Sequence, residues 1–171
     1  MQNDLRQQIK KKLCDLTSDF RLAASQKIKT KVVTSNIFTH SKNIACYIPI
    51  GNEIDVWPII EAIWQQGKNC YLPIYDPKTK RNLYFIKFHH PKACSIKIIA
   101  PQKLDLVIVP LLGFNNNRFR LGRGAGCYDR TFEFKQQNPK AKPYLLGVGY
   151  KWQKVKFEPN PWDVVMDEII S

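Results

Sequence analysis

Short apolar runs alternate along this chain with stretches of helical periodicity, an arrangement that leaves few folds open to it. Strands that alternate with helices are typical of an open, mostly parallel sheet with helices on both faces. With 171 residues and no repeat or linker, the sequence predicts one α/β domain over residues 1–171. The predicted strands are Asn43–Ile50, Asn69–Tyr75, Leu83–Phe88, Asp105–Val109 and Tyr144–Tyr150.

Local signals place helices around these strands. Thr17–Asp19 offers the chemistry of a helix start. Pro58 and Gly67 suit the first turn and the end of a helix between the first two strands. Another helix is predicted from the glycine-rich segment to about Lys135. The first helix of the chain is predicted from four apolar residues at helical spacing: Leu5, Ile9, Leu13 and Leu16.

No apolar run approaches the roughly 18 residues that cross a bilayer, and the first residues lack the apolar core of a secretory signal. We therefore expect a soluble, cytoplasmic protein with no membrane partner. The cysteines are irregularly spaced and the three histidines complete no zinc pattern, which favours buried, reduced thiols. The five cysteines are Cys14, Cys46, Cys70, Cys94 and Cys127.

The net charge of +13 favours an anionic partner, which is nucleic acid, anionic lipid or a phosphorylated small molecule. Charge alone does not choose among them. The lysines are spread along the chain, and no helix-turn-helix, zinc-finger or RNP signature is present. A nucleic-acid-binding protein therefore stays an alternative, but a less favoured one.

The segment Arg120–Arg130 carries the strongest chemical signal. Gly122, Gly124 and Gly126 free the backbone to take positive φ and let successive N–H groups approach an anion, next to the positive end of a following helix. Arg120 and Arg123 add forked donors that match phosphate geometry. The alternative is a structural glycine turn with surface arginines, since the spacing matches neither a dinucleotide-binding fingerprint nor a Walker A motif. The two arginines favour phosphate binding.

The same segment resembles the signature of the 5-formyltetrahydrofolate cyclo-ligase (methenyltetrahydrofolate synthetase) family. That signature usually runs Arg-Leu-Gly-x-Gly-x-Gly-aromatic-Tyr-Asp, and here it reads Arg-Leu-Gly-Arg-Gly-Ala-Gly-Cys-Tyr-Asp. The likeness covers nearly the whole chain, because Ile48–Asp55, Asp105–Phe114 and Trp162–Ile170 resemble further family blocks in the same order.

The resemblance implies an ATP-dependent ring closure. The formyl oxygen of 5-formyltetrahydrofolate would take the γ-phosphate of ATP, and the other folate nitrogen would then displace phosphate to give 5,10-methenyltetrahydrofolate. ATP and Mg²⁺ are the implied cofactors, and the substrate is a folate with or without a polyglutamate tail. We expect a monomer. A relative that keeps the nucleotide site but uses ATP on a different substrate remains an alternative.

The family pattern also implies site residues, position by position. Arg123, placed at the transferred phosphate, and Tyr128 would be catalytic. Ile48, Glu53 and Tyr128 would contact the substrate, with Glu53 accepting hydrogen bonds from ring nitrogens. Asp129 and Asp163 would hold magnesium. The ATP-binding positions would be Gln2, Arg6, Arg120, Leu121, Gly122, Arg123, Gly124, Ala125, Gly126, Cys127 and Tyr128.

Four features depart from the family pattern. Gln2 stands where lysine is usual, Ala125 where glycine or lysine is usual, and Cys127 where an aromatic residue is usual. The stretch between Phe88 and Leu104 is shorter than in the family. Apart from the resemblance, three of the assigned residues have ordinary readings: Glu53 as a helix cap, Arg6 as a solvated helix residue and Asp163 as a turn residue.

Overall fold

A computed structural model describes residues 2–75, 82–89 and 97–171. Within them, seven strands form one sheet and two form a separate hairpin. The strands are β1 Asn43–Ala45, β2 Asn69–Tyr75, β3 Leu83–Phe88, β4 Ile98–Ile99, β5 Leu106–Pro110, β6 Gly113–Phe114, β7 Arg120–Leu121, β8 Tyr144–Val148 and β9 Glu168–Ile170.

The main sheet has the order β4-β3-β2-β1-β5-β8-β9. The five strands from β2 to β9 in this order pair in parallel. At the other edge, β3 runs antiparallel to β2, and β4 runs antiparallel to β3. The hairpin of β6 and β7 projects from the end of β5. The prediction of an open, mostly parallel sheet is confirmed.

Six α-helices accompany the sheet in the described residues. The hydroxyl of Thr17 accepts a hydrogen bond from the N–H of Phe20, which caps the second helix as predicted. Pro58 lies in the first turn of the fourth helix, and Gly67 follows its end with a φ of 65°. The helices are α1 Gln2–Cys14, α2 Ser18–Val33, α3 Asn36–His40, α4 Trp57–Gln65, α5 Cys127–Thr131 and α6 Phe134–Gln137.

Helices cover both faces of the sheet, as predicted. On one face, Ile28 of α2 and Ile60 of α4 belong to a buried cluster that includes Ile108 of β5. On the other face, Val107 of β5 shares a second cluster with Phe132, which follows α5. Side chains of one buried strand thus point alternately into two apolar layers, the arrangement expected of a covered parallel sheet.

The predicted strand Asn43–Ile50 was too long. Strand β1 ends at Ala45, and the rest of this apolar run lies outside the sheet. Ile48 and Ile50 are each more than half exposed. These two side chains line a cavity and do not extend the strand. Local periodicity cannot distinguish the two cases, because both place apolar residues in a short run.

Three other boundaries also needed correction. The helix predicted to run to about Lys135 breaks at Phe132, whose buried ring packs against the rings of Phe85 and Phe134. The strand predicted to reach Tyr150 ends at Val148, because the N–H of Tyr150 donates to the side chain of Gln153 instead. The first helix ends at Cys14, before Leu16.

The predicted burial of the cysteines is confirmed for Cys46, Cys70 and Cys127, whereas Cys14 lies on the exposed face of α1. Cys94 and part of the short stretch after Phe88 lie outside the described residues. None of the helices in the described ranges combines the length and the hydrophobicity needed to span a membrane.

Candidate active site

A cavity of about 400 Å³ opens beyond the carboxyl ends of β1, β2 and β5. Its volume suits a small-molecule ligand, and its position follows the rule for ligand sites in open α/β sheets. It brings together all the residues that the sequence singled out for a site. Those residues are Gln2, Arg6, Ile48, Glu53, the segment Arg120–Asp129, and Asp163.

The cavity also includes residues that the sequence analysis missed. Tyr47 follows β1, Tyr75 ends β2, and Asn160 and Trp162 flank the segment before β9. Tyr75 and Trp162 are both strongly exposed, at 59% and 64%. The signal for Tyr75 was available, because β2 was predicted with its correct end and residues at the carboxyl ends of parallel strands converge on one ligand site.

The glycine-rich segment forms one wall of the cavity. It leaves β7, where the N–H of Leu112 donates to Leu121, and it reaches α5 through Gly124 and Gly126, with φ of 109° and 63°. No hydrogen bond joins the backbone N–H groups of residues 123–126 to another described residue. These donors are therefore available to an anion. The sequence also suggested that the positive end of the following helix would help to bind an anion. Because α5 has only five residues, we expect the backbone amides and guanidinium groups to contribute more to anion binding than this helix end does.

Arg120 lies buried behind this wall. Its Nη2 is 2.7 Å from the carboxylate of Asp129, and its guanidinium carbon lies 5.1 Å from the ring centre of Tyr128. Its Nε is buried without a partner among the described residues. Gly122 makes room for it, since a Cβ at that position would lie 2.6 Å from Arg120 Nη1. Gly122 does not take the positive φ that was predicted for it, in contrast to Gly124 and Gly126, so its glycine leaves space for the buried guanidinium.

Arg123 faces Glu53 across the cavity. Its Nε and Nη2 lie 2.8 and 2.7 Å from Glu53 Oε1, and Nη2 also donates to the carbonyl of Ile50. The second oxygen of Glu53 accepts the N–H of Ile50 at 2.9 Å. Glu53 is buried, whereas the side chain of Arg123 is 36% exposed.

The first helix closes another side of the cavity. Arg6 Nε donates to the carbonyl of Gly122 at 2.9 Å, across 116 positions of sequence. The other guanidinium nitrogens of Arg6 bind the side chains of Asn3 and Gln2, and Gln2 donates to the carbonyl of Glu158. Gln2 and Arg6 thus connect α1 to the glycine-rich segment and to the C-terminal part of the chain.

Asp129 and Asp163 both line the cavity, and each is oriented by a neighbour. Asp129 accepts from Arg120 and from the N–H of Val164, while Asp163 accepts from the N–H and side chain of Asn160. Among the described residues there is no group of three or more metal-binding side chains. Two carboxylates fit Mg²⁺, which is commonly held by one or two carboxylates together with substrate phosphates and water.

Tyr128 also lines the cavity. Burial raises its pKa well above the ordinary value, and the carboxylate of Glu53 acts in the same direction while the Arg120 guanidinium opposes it. The phenol is therefore protonated at neutral pH. Next to it, the thiol of Cys127 lies 3.7 Å from the carbonyl of Ala125.

Unpartnered backbone amides, three guanidinium groups and three carboxylates surround one ligand-sized cavity in an α/β fold, a combination suited to a phosphate-bearing ligand. The family follows from comparison with known proteins. The model of the 5-formyltetrahydrofolate cyclo-ligase family matches residues 1–171, and the chain belongs to that family.

Individual relatives agree with this assignment over nearly all of their length. The chain is 32% identical to a 5-formyltetrahydrofolate cyclo-ligase of Mycoplasma pneumoniae, covering 99% of this chain and 97% of the relative. It is 30% identical to one of Haemophilus influenzae, covering 97% and 95%.

Solved structures show the same fold. A 5,10-methenyltetrahydrofolate synthetase from Mycoplasma pneumoniae superposes with a TM-score of 0.83 at 32% identity, over 99% of this chain and 97% of that chain. A synthetase of the same name from Aquifex aeolicus has a TM-score of 0.81 at 25% identity, over 98% and 88%.

Proposed function

We propose that this protein closes the ring of 5-formyltetrahydrofolate to form 5,10-methenyltetrahydrofolate at the expense of ATP. The observation that carries the proposal is a single cavity lined by every position that the family pattern assigns to nucleotide, folate and metal. The family match over the whole chain and the names of its full-length relatives support the same activity.

The chemistry requires activation of a poor leaving group. The formyl oxygen forms a bond to the γ-phosphorus of ATP, and the bond from that phosphorus to the bridging oxygen of ADP breaks. The second folate nitrogen then attacks the formyl carbon and loses its proton. The carbon–oxygen bond breaks, phosphate leaves with the former formyl oxygen, and the ring is closed.

The protein contributes mainly positioning and charge stabilisation to such a reaction. The free N–H groups of residues 123–126 would hold the phosphate chain. Arg123 would neutralise charge on the transferred group, and the buried Arg120 would support the segment from behind through its ion pair with Asp129. Arg6 would fix the segment to α1 through the carbonyl of Gly122.

The folate half of the cavity is assigned to Ile48, Glu53 and Tyr128. The carboxylate of Glu53 is an acceptor for N–H groups of the pterin ring, and the exposed side chain of Ile48 offers an apolar surface to that ring. Tyr128, protonated at neutral pH, donates a hydrogen bond at the junction of the two substrates. Mg²⁺ held by Asp129 and Asp163 would supply neutralisation of phosphate charge.

All of these groups belong to one chain and one cavity, which supports activity as a monomer. A sedimentation measurement under assay conditions tests this point, because turnover confined to a dimer would contradict it. Whether a polyglutamate tail strengthens binding is tested by comparing folates with one and several glutamates.

The test of the activity is a spectroscopic assay. Purified protein with ATP, Mg²⁺ and 5-formyltetrahydrofolate should generate the near-ultraviolet absorbance of the methenyl product, and omission of ATP should abolish the signal. A folded sample that produces no absorbance would overturn the proposal. Calorimetry that showed binding of ATP but not of the folate would point instead to a relative with a different substrate.

A further inference from the structure

Two residues assigned to different substrates bind each other in this structure. Arg123 places Nε and Nη2 on one oxygen of Glu53, at 2.8 and 2.7 Å. The carbonyl and N–H of Ile50 complete the arrangement by binding Arg123 and Glu53 respectively. The Arg123 guanidinium, assigned to phosphate, and the Glu53 carboxylate, assigned to folate, therefore occupy each other. Neither group can bind its ligand without changing its contact with the other.

Glu53 is the fixed member of this pair. Its side chain is only 5% exposed, and the turn that carries it is anchored on both sides. The side-chain amide of Asn52 donates to the carbonyl of Leu13 at 2.8 Å, and the backbone carbonyl of Asn52 accepts a hydrogen bond from the hydroxyl of Tyr150. Tyr47 donates to the carbonyl of Ile54 at 2.9 Å. These contacts hold the carboxylate in place.

Arg123 is the member that can move. Its side chain is 36% exposed at the cavity surface. It stands between Gly122 and Gly124. Gly124 has a φ of 109°, and a Cβ added there would have no other atom within 4 Å. Because its side chain is exposed and flanked by glycines, Arg123 is less constrained than Glu53.

Such a movement is unfavourable when nothing replaces the guanidinium. The buried carboxylate would keep only the N–H of Ile50, and breaking one side of a buried ion pair carries a large penalty. A ligand that brings its own N–H donors to Glu53 removes that penalty. A pterin ring carries such donors along one edge, whereas ATP approaching from the glycine-rich segment does not offer them to this carboxylate.

We propose that Glu53 is a positioning residue for Arg123 in addition to a folate contact. The carboxylate withholds the guanidinium from the nucleotide until folate N–H groups replace it, and Arg123 then turns to the terminal phosphate. This inference rests on the proposed function and adds a property to it. ATP and folate bind cooperatively, and ATP is protected from hydrolysis while folate is absent.

Calorimetry with a non-hydrolysable ATP analogue tests the exchange. Without folate, Glu53→Gln should bind the analogue more tightly than wild type, by about fivefold or more, the lower end of typical coupling between sites. The neutral amide holds the guanidinium less firmly, so Arg123 reaches the phosphate. A merely structural role for Glu53 would lower the affinity and not raise it.

Two further variants make the result specific. Asp55→Asn removes the same charge two residues away, from an exposed carboxylate whose contact is the N–H of Trp57, and it should leave the affinity for the analogue unchanged. In an Arg123→Ala background, Glu53→Gln should bring no gain. An equal gain from Asp55→Asn, or a gain that persists without Arg123, would attribute the effect to general electrostatics and overturn the proposal.

The wild-type protein provides a test that needs no variant. Addition of 5-formyltetrahydrofolate should tighten binding of the analogue by about fivefold or more, and ATP hydrolysis without folate should be far slower than ring closure. Normal turnover with no such coupling would refute this inference and leave the proposed function intact. Absence of turnover would refute the proposed function itself.

Discussion

At the scale of single residues, Arg120 and Arg123 of the glycine-rich segment have different environments. Arg120 is buried against Asp129 and the ring of Tyr128, so it acts as part of the structure. Arg123 is one third exposed and faces the cavity. The difference in burial predicts that substitution of Arg120 will mainly lower stability and that substitution of Arg123 will mainly lower turnover.

Arg123→Ala should reduce kcat by about 10²-fold or more, the range typical for the loss of one charge-stabilising donor. Arg123→Lys is the matched control, because it keeps the charge but not the fork that serves phosphate, and it should recover part of the loss. Steady-state kinetics on folded protein measures both. Turnover of the alanine variant near the wild-type rate would remove Arg123 from the catalytic role.

Asp129→Asn should lower the free energy of unfolding by about 3 kcal/mol without any metal or nucleotide, because it breaks a buried ion pair with Arg120. Among the described residues, the carboxylate of Asp163 is bound by Asn160 alone, and Asp163→Asn should cost less than about 1 kcal/mol. Urea denaturation in the presence of a chelator compares them. Equal losses would show that the two aspartates do not differ in structural role.

At the scale of elements, the turn into α5 depends on Gly126. Its φ is 63°, and an added Cβ would lie 2.9 Å from Arg130 Nη1. Gly126→Ala should therefore cost about 1–2 kcal/mol and weaken binding of nucleotide. Gly67→Ala, at a similar φ of 65° but outside the cavity, is the control. It should lower stability alone, and loss of nucleotide affinity in both variants would contradict the assignment of the segment.

The junction of β1 and β5 should show a pH dependence through Asp105. Its carboxylate accepts from Lys142 and from the N–H groups of Lys42 and Asn43. Burial alone would raise the pKa of Asp105, but these donors together hold it below its ordinary value. The stabilisation is thus complete at neutral pH and is lost as the pH falls from about 4 towards the lower pKa of the folded state.

Asp105→Asn should accordingly be less stable than wild type at pH 7, with the difference narrowing near pH 3. Urea titrations at both pH values measure this, and Lys142→Ala should flatten part of the same dependence. A difference that stayed constant over the whole range would show that the carboxylate's charge is not the stabilising factor.

The sequence correctly predicted those features of the fold that depend only on neighbouring residues. The cap at Thr17 and the end of a helix at Gly67 follow from backbone chemistry that the residues themselves impose. The strand Asn43–Ile50 was predicted too long because apolar residues that line a cavity look like apolar residues in a sheet. The short strand Glu168–Ile170 exists through its pairing with β8, a contact that no periodicity within three residues can indicate.

At the scale of the whole molecule, the site is assembled from distant parts of the chain. Arg6 meets Gly122 across 116 positions, and Glu53 meets Arg123 across 70. The family resemblance identified these residues one by one, and the fold placed them around one cavity. Their mutual contact was not predicted, because a motif assigns each residue to a ligand and does not show what binds it before the ligand arrives.

The net charge of +13 makes a prediction at this scale as well. Binding of an oligonucleotide, through exposed lysines such as Lys11, Lys154 and Lys156, should weaken at least tenfold between about 50 and 200 mM salt, because counterions are released. The KM for 5-formyltetrahydrofolate should change far less, since its site is a cavity. Tight, salt-sensitive oligonucleotide binding in a folded sample that shows no folate turnover would favour a nucleic-acid function.

The most direct measurement is a crystal structure with a non-hydrolysable ATP analogue and 5-formyltetrahydrofolate bound together. We predict that the triphosphate lies on the N–H groups of residues 123–126 with Arg123 on its terminal phosphate, and that the pterin lies on Glu53. Nucleotide bound elsewhere, with Arg123 still on Glu53, would contradict the account.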